Sequence, residues 1–171
     1  TFKKKLNKIL GSFIFSYGEF SLEEVVVSSL KKKKMNISIA ESCTGGHISK
    51  MLTSVPGASK ILIGSIISYS NYVKTKFLGV NSDDIKSQGV VSEEVVVQMA
   101  QSIREKFNSN FGLATSGYMG PFKKTDDKIA WICLASKDKI ITKKINLKST
   151  RSDNILITSR YILNELRKEI L

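Results

Sequence analysis

Ile37-Ser38-Ile39-Ala40-Glu41-Ser42-Cys43-Thr44-Gly45-Gly46-His47 decides the fold. A short apolar run ends, two glycines permit a tight turn, and helical patterning starts at once over 47–54. A strand that passes directly into a helix is the repeating step of a layered α/β protein. Such a junction aims the unpaired amides and the positive end of the helix dipole at one point, where an anion or a developing oxyanion is stabilised. Ser42 stands at that point. The same serine is also the residue type that caps a helix, and spacing alone leaves both readings open.

Working outward, Pro56-Gly57 closes the first unit, and 61–69 reads as a second, buried strand. Helical turns are predicted over 71–78, with Gly79 as C-cap, and near 81–88. Ser92 caps a helix over 93–107 that carries Glu93 and Glu94 in its first turn, as the dipole prefers. A third strand is expected over 111–115, followed by a loop from Ser116 to Pro121. Two further strands, 129–136 and 139–145, form a hairpin around Lys137-Asp138, and a last helix opens at Ser152 or Asp153.

Upstream, Ser21 with Glu24 is a capping box for a helix through about Leu30, with Leu22, Val25, Val26 and Leu30 on its apolar face. Residues 1–20 form a linker-like prelude: helical spacing of Phe2, Leu6, Ile9 and Leu10, a stop at Gly11, and an extended Phe13-Ile14-Phe15. The expected architecture is a three-layer α/β/α sandwich with a mixed sheet, one domain over 21–171 preceded by the 1–20 segment.

Composition limits the function classes. The 171 residues suffice for one domain with a full core, and no apolar run approaches the ~20 residues of a membrane-spanning helix. The absence of a signal-peptide pattern points to a cytoplasmic protein, and the start at Thr1 to a piece of a longer one. One histidine and two distant cysteines, Cys43 and Cys133, match no metal spacing, so neither metal nor cofactor is expected. Net charge is +12, but the cations are mostly scattered lysines without an arginine stripe interleaved with aromatics. That argues against nucleic acid as a partner and suits an anionic small substrate.

With His47 four residues past Cys43 and no other histidine, a serine–lysine pair is the catalytic option left. Lys74, four residues past Ser70, follows the end of the second strand, and adjacent strand ends bring their loops side by side. A lysine partly drawn out of water loses its proton near neutral pH and serves as base for a serine. Taken alone, Lys74 is equally an ordinary solvated helix lysine.

Together, Ala40-Glu41-Ser42-Cys43-Thr44-Gly45-Gly46, Tyr69-Ser70-Asn71 with Lys74, Leu78-Gly79-Val80 and Gly89-Val90-Val91-Ser92-Glu93-Glu94-Val95 resemble the CinA C-terminal (PncC-like) family. The resemblance implies an amidohydrolase that deamidates nicotinamide mononucleotide to nicotinate mononucleotide and ammonia, in pyridine-nucleotide salvage, and a homo-oligomer. Carried over, Ser42 is the nucleophile, Lys74 the general base, and Tyr69 a site tyrosine that hydrogen-bonds serine or substrate. Amides around Thr44 and Gly45 make the oxyanion hole. Glu41, Thr44, Gly45, Gly46, Ser70, Asn71, Ser116 and Gly117 are the expected substrate-binding positions. One stretch departs from the family pattern: residues 122–128 hold no glycine or proline and put Lys123 and Lys124 where glycine amides would approach a phosphate. The alternative this raises is a nucleotide-binding or regulatory domain with weak turnover or none.

Overall fold

A computed structural model describes residues 2–11, 14–120 and 128–171. The chain runs α1 (Phe2–Leu10), α2 (Leu22–Lys33), β1 (Ile37–Glu41), α3 (His47–Thr53), a 3-10 turn (Ala58–Lys60), β2 (Leu62–Ile67), α4 (Asn71–Leu78), α5 (Ser82–Gln88), α6 (Glu93–Lys106), β3 (Phe111–Tyr118), β4 (Ile129–Ala135), β5 (Ile140–Asn146) and α7 (Arg151–Ile170). The five strands form one sheet in the order β2-β1-β3-β4-β5. β1 pairs in parallel with β2 and β3, whereas β3–β4 and β4–β5 are antiparallel. The sheet is therefore mixed.

Two apolar clusters cover its faces. One joins Val26, Val27 and Leu30 of α2, Ile48 and Leu52 of α3, and Ile162, Leu163 and Leu166 of α7 to Ile37, Ile39 and Leu113 of the sheet. The other packs Val95, Val96, Met99, Ala100 and Ile103 of α6, with Leu78 and Val80, on Ala40, Ala114 and Cys133. Alternate residues of β1 and β3 thus serve opposite layers, as the two-residue period requires. The three-layer sandwich follows. At Gly112 a Cβ would lie 2.1 Å from the Ala100 carbonyl, so α6 approaches β3 more closely than any side chain allows.

Several expectations shift. β2 is the edge of the sheet, with Ile63 and Ile67 about half exposed, rather than a buried strand, because the two-turn α3 is too short to cover it. β3 continues through Ser116, Gly117 and Tyr118, where a loop was expected, held by pairing with Trp131, Ala130 and Ile129 of β4. On α2 the inward face uses Val27 where Val25 was expected. Thr150, not Ser152 or Asp153, caps α7, its side chain accepting from the Asp153 amide. The Ser21–Glu24 capping box is present in full. Phe13 and the altered stretch 122–128, apart from Lys128, lie outside the described residues. Among the described residues no helix is long and apolar enough to cross a membrane.

Candidate active site

α4 begins at Ser70, whose hydroxyl accepts from the Val73 amide, and ends at Gly79 with φ +65°. Its inward face is Lys74 and Leu78, one turn apart. Lys74 is 1% exposed, and its Nζ lies 2.9 Å from Ser42 Oγ and 2.6 Å from the Ser68 carbonyl oxygen. The solvated-lysine reading is excluded by this burial. Loss of hydration, only slightly offset, brings its pKa down from 10.5 to about 8. At pH 7 roughly a tenth of the molecules then hold a neutral amine against the serine. The Ser68 carbonyl takes one N–H, leaving the amine lone pair free to face Ser42.

Ser42 is buried at the end of β1, its amide donating to the Thr115 carbonyl of β3 at 3.1 Å. The turn after it requires φ of +59° at Gly45 and +95° at Gly46, conformations that favour glycine. Gly45's amide closes the turn on the Ser42 carbonyl. Gly46 occupies the N-cap position of α3 and supplies no side chain. The missing cap comes from Glu41, one residue before the serine. Its Oε2 accepts from Thr44 Oγ1 (2.7 Å) and the Gly46 and Ile48 amides (3.0 and 3.1 Å), and its Oε1 from the Ser49 amide and hydroxyl (2.9 and 2.6 Å).

This changes the electrostatic reading of the junction. The positive end of α3 already holds an anion of the chain itself. Glu41 was expected to touch substrate; its carboxylate is instead buried and fully engaged within the fold. Gly45 and Gly46 likewise have committed amides, so neither is an open oxyanion donor. Ser42 is not the helix cap. A glutamate ending a strand six residues before a helix start was the overlooked sequence signal, since only an acceptor satisfies that many amides.

A cleft of about 200 Å³ opens above the pair, lined by Ser42, Cys43, Tyr69, Asn71, Lys74, Val90, Val91, Ser116, Gly117, Tyr118 and Arg151. Six positions expected in the site, Ser42, Lys74, Tyr69, Asn71, Ser116 and Gly117, meet there. Ser116 donates to the Val90 carbonyl at 2.8 Å, tying β3 to the segment before α6. Tyr69 does not reach Ser42: it is exposed, and its hydroxyl accepts from Arg151 Nη2 at 3.0 Å. Arg151 also donates to the Gly120 carbonyl at 3.2 Å. Thr44 and Ser70 are spent on the turn and on the α4 cap and do not line the cleft. Arg151, 82 residues from Tyr69, is the cleft cation that no local motif announced. Cys43 is a buried thiol whose pKa burial pushes up to about 12. A larger cleft, about 470 Å³, lies away from this chemistry between Phe15, α2 and Tyr161 of α7.

Fold and site together define an α/β sandwich domain with a buried serine–lysine pair at a strand–helix junction. The model of the CinA C-terminal domain family matches residues 19–170, and the chain belongs to that family. It is 39% identical to a CinA-like protein of Cytophaga hutchinsonii over 92% of its own length and 38% of that protein's. To a CinA-like protein of Dictyoglomus turgidum it is 41% identical over 98% and 42% of the two lengths. The chain thus spans about two-fifths of the curated relatives it matches. The crystal structure of the competence/damage inducible protein CihA from Agrobacterium tumefaciens superposes with a TM-score of 0.81 at 26% identity, covering 85% of this chain and 91% of that one.

Proposed function

We propose that this domain is a serine–lysine amidohydrolase that converts nicotinamide mononucleotide to nicotinate mononucleotide and ammonia. The observation that carries the reading is the Lys74 amine, buried and deprotonating near 8, 2.9 Å from the Ser42 hydroxyl. A desolvated lysine beside a serine at a cleft floor has little to do in a merely structural role, where an apolar side chain would be cheaper to bury.

In the reaction, neutral Lys74 takes the Ser42 proton as Oγ attacks the carboxamide carbon. The carbonyl oxygen becomes an oxyanion. With the Gly45 and Gly46 amides committed, the Cys43 and Thr44 amides, next after the nucleophile, are the donors available for it, each worth roughly 3 kcal/mol of barrier. Lys74 returns its proton to the departing nitrogen, ammonia leaves, and the acyl group remains esterified to Ser42. Water then attacks the ester, again with Lys74 as proton acceptor. Ser42 regains its proton from Lys74 as the carboxylic acid is released, and the acid gives its own proton to solvent to become the carboxylate product. Val90, Val91 and Tyr118 supply apolar wall for a pyridine ring, and the Arg151 guanidinium suits the 5′-phosphate.

The test is ammonia release from nicotinamide mononucleotide by the purified chain. Ser42→Ala and Lys74→Met are each expected to abolish it while the nucleotide still binds. A wild-type chain that binds the nucleotide and releases no ammonia overturns the amidohydrolase reading in favour of a nucleotide-binding domain without turnover. The glycine-free stretch 122–128 is the feature of this chain that favours that second reading.

A further inference from the structure

Thr115 is wholly buried on β3, directly opposite Glu41 in the β1–β3 register. It touches the nucleophile turn at Ser42, Cys43 and Thr44. Its carbonyl accepts the Ser42 amide at 3.1 Å, and its hydroxyl lies 2.9 Å from Thr44 Oγ1. Thr44 Oγ1 in turn donates to Glu41 Oε2 at 2.7 Å. The direction of every proton in this chain is fixed by its end. A carboxylate only accepts, so Thr44 spends its single hydroxyl proton on Glu41, and the Thr115 proton has to go to Thr44. Residues 42 and 44 are therefore both pinned to one threonine of the neighbouring strand, and Cys43 is held between them. An aligned chain of buried hydrogen bonds strengthens each link, and removing one hydroxyl leaves its partner unsatisfied.

We infer that Thr115 is a positioning residue for the nucleophile: through Thr44 and Glu41 it fixes the turn that carries the Ser42 hydroxyl and the Cys43 and Thr44 amides. This rests on the reading of Ser42 as nucleophile and not on the identity of the amide it attacks. A core threonine with no such role would affect melting and leave turnover alone. A positioning threonine affects turnover with little change in substrate affinity, because a displaced turn misplaces groups that act on the transition state.

The experiment compares Thr115→Val, which keeps the shape and removes the hydroxyl, with Thr115→Ser, which restores it. Two readouts are taken on folded protein: kcat and KM for ammonia release, and the rate at which a fluorophosphonate probe labels Ser42. Thr115→Val is expected to lower kcat and labelling about tenfold, the worth of one buried hydrogen bond, with KM within about twofold. Thr115→Ser should recover most of both. Thr44→Val breaks the same link from the other side and also strips Glu41 of a donor, so it should lower labelling at least as far as Thr115→Val, and the two losses should combine less than additively. Labelling that falls in Thr115→Val and recovers in Thr115→Ser, in a chain that releases no ammonia, supports the positioning role and sinks only the substrate reading. Wild-type rates in Thr115→Val, or equal loss in the Val and Ser variants, overturn the positioning role. Failure of the probe to label wild-type Ser42 at all overturns both.

Discussion

A lysine ammonium taken out of water loses hydration that two hydrogen bonds replace only in part, which is why Lys74 titrates near 8. In the proposed mechanism the deprotonated form is the base, so kcat/KM should rise with pH, reach half its plateau at about pH 8, and fall tenfold per unit below pH 7. A flat profile between pH 6 and 9 would remove Lys74 from the role of base. The same shift has a consequence for stability. The folded-state value lies below the unfolded one of 10.5, so folding releases a proton and the group opposes folding fully below about pH 8. That penalty is relieved as pH rises from 8 to 10.5. Lys74→Met should therefore raise the melting temperature relative to wild type more at pH 6 than at pH 10. Thermal melts at both values check this, and an equal difference at the two would contradict it.

At the scale of elements, α3 is held by a residue outside it. Replacing Glu41 by Gln puts an NH2 group against amides that need acceptors, and about 3 kcal/mol of stability should be lost, read from urea melts. At the α6–β3 contact, Gly112→Ala forces a Cβ to within 2.1 Å of the Ala100 carbonyl and should cost about 2 kcal/mol or more, with Ser42 labelling affected only through stability.

These elements also show what the sequence could and could not disclose. Ser21 and Ser92 announced α2 and α6 because each cap is closed by hydrogen bonds within four residues. The Ser42 turn was legible because glycine is demanded there. The continuation of β3 was not, since Ser116 and Gly117 resemble a loop until Trp131 and Ala130 pair with them. The exposure of β2 depends on its place at the sheet edge, and the capping role of Glu41 on a turn that doubles back over it. In each case the deciding partner is remote in sequence or emerges only with the strand order.

In the whole molecule, the cleft is assembled from the ends of β1 and β3, the start of α4, the approach to α6 and the first residue of α7. Among the described residues, only the last of these brings a cation other than Lys74 to it. Arg151 is fixed in place by Tyr69 and the Gly120 carbonyl, and its guanidinium retains further N–H donors for an incoming anion. It is remote from the serine in the chain's hydrogen-bonding scheme, so it should contribute to binding ground state and transition state alike. Arg151→Met is then expected to raise KM for nicotinamide mononucleotide by tens-fold, as loss of a charge-assisted hydrogen bond implies, and to leave kcat within about threefold. Nicotinamide riboside, which keeps the amide and lacks the phosphate, should be turned over by wild type and Arg151→Met with nearly equal kcat/KM. If the variant instead loses kcat on both substrates with KM unchanged, Arg151 acts on the chemistry through Tyr69, and the phosphate must be held elsewhere on the cleft.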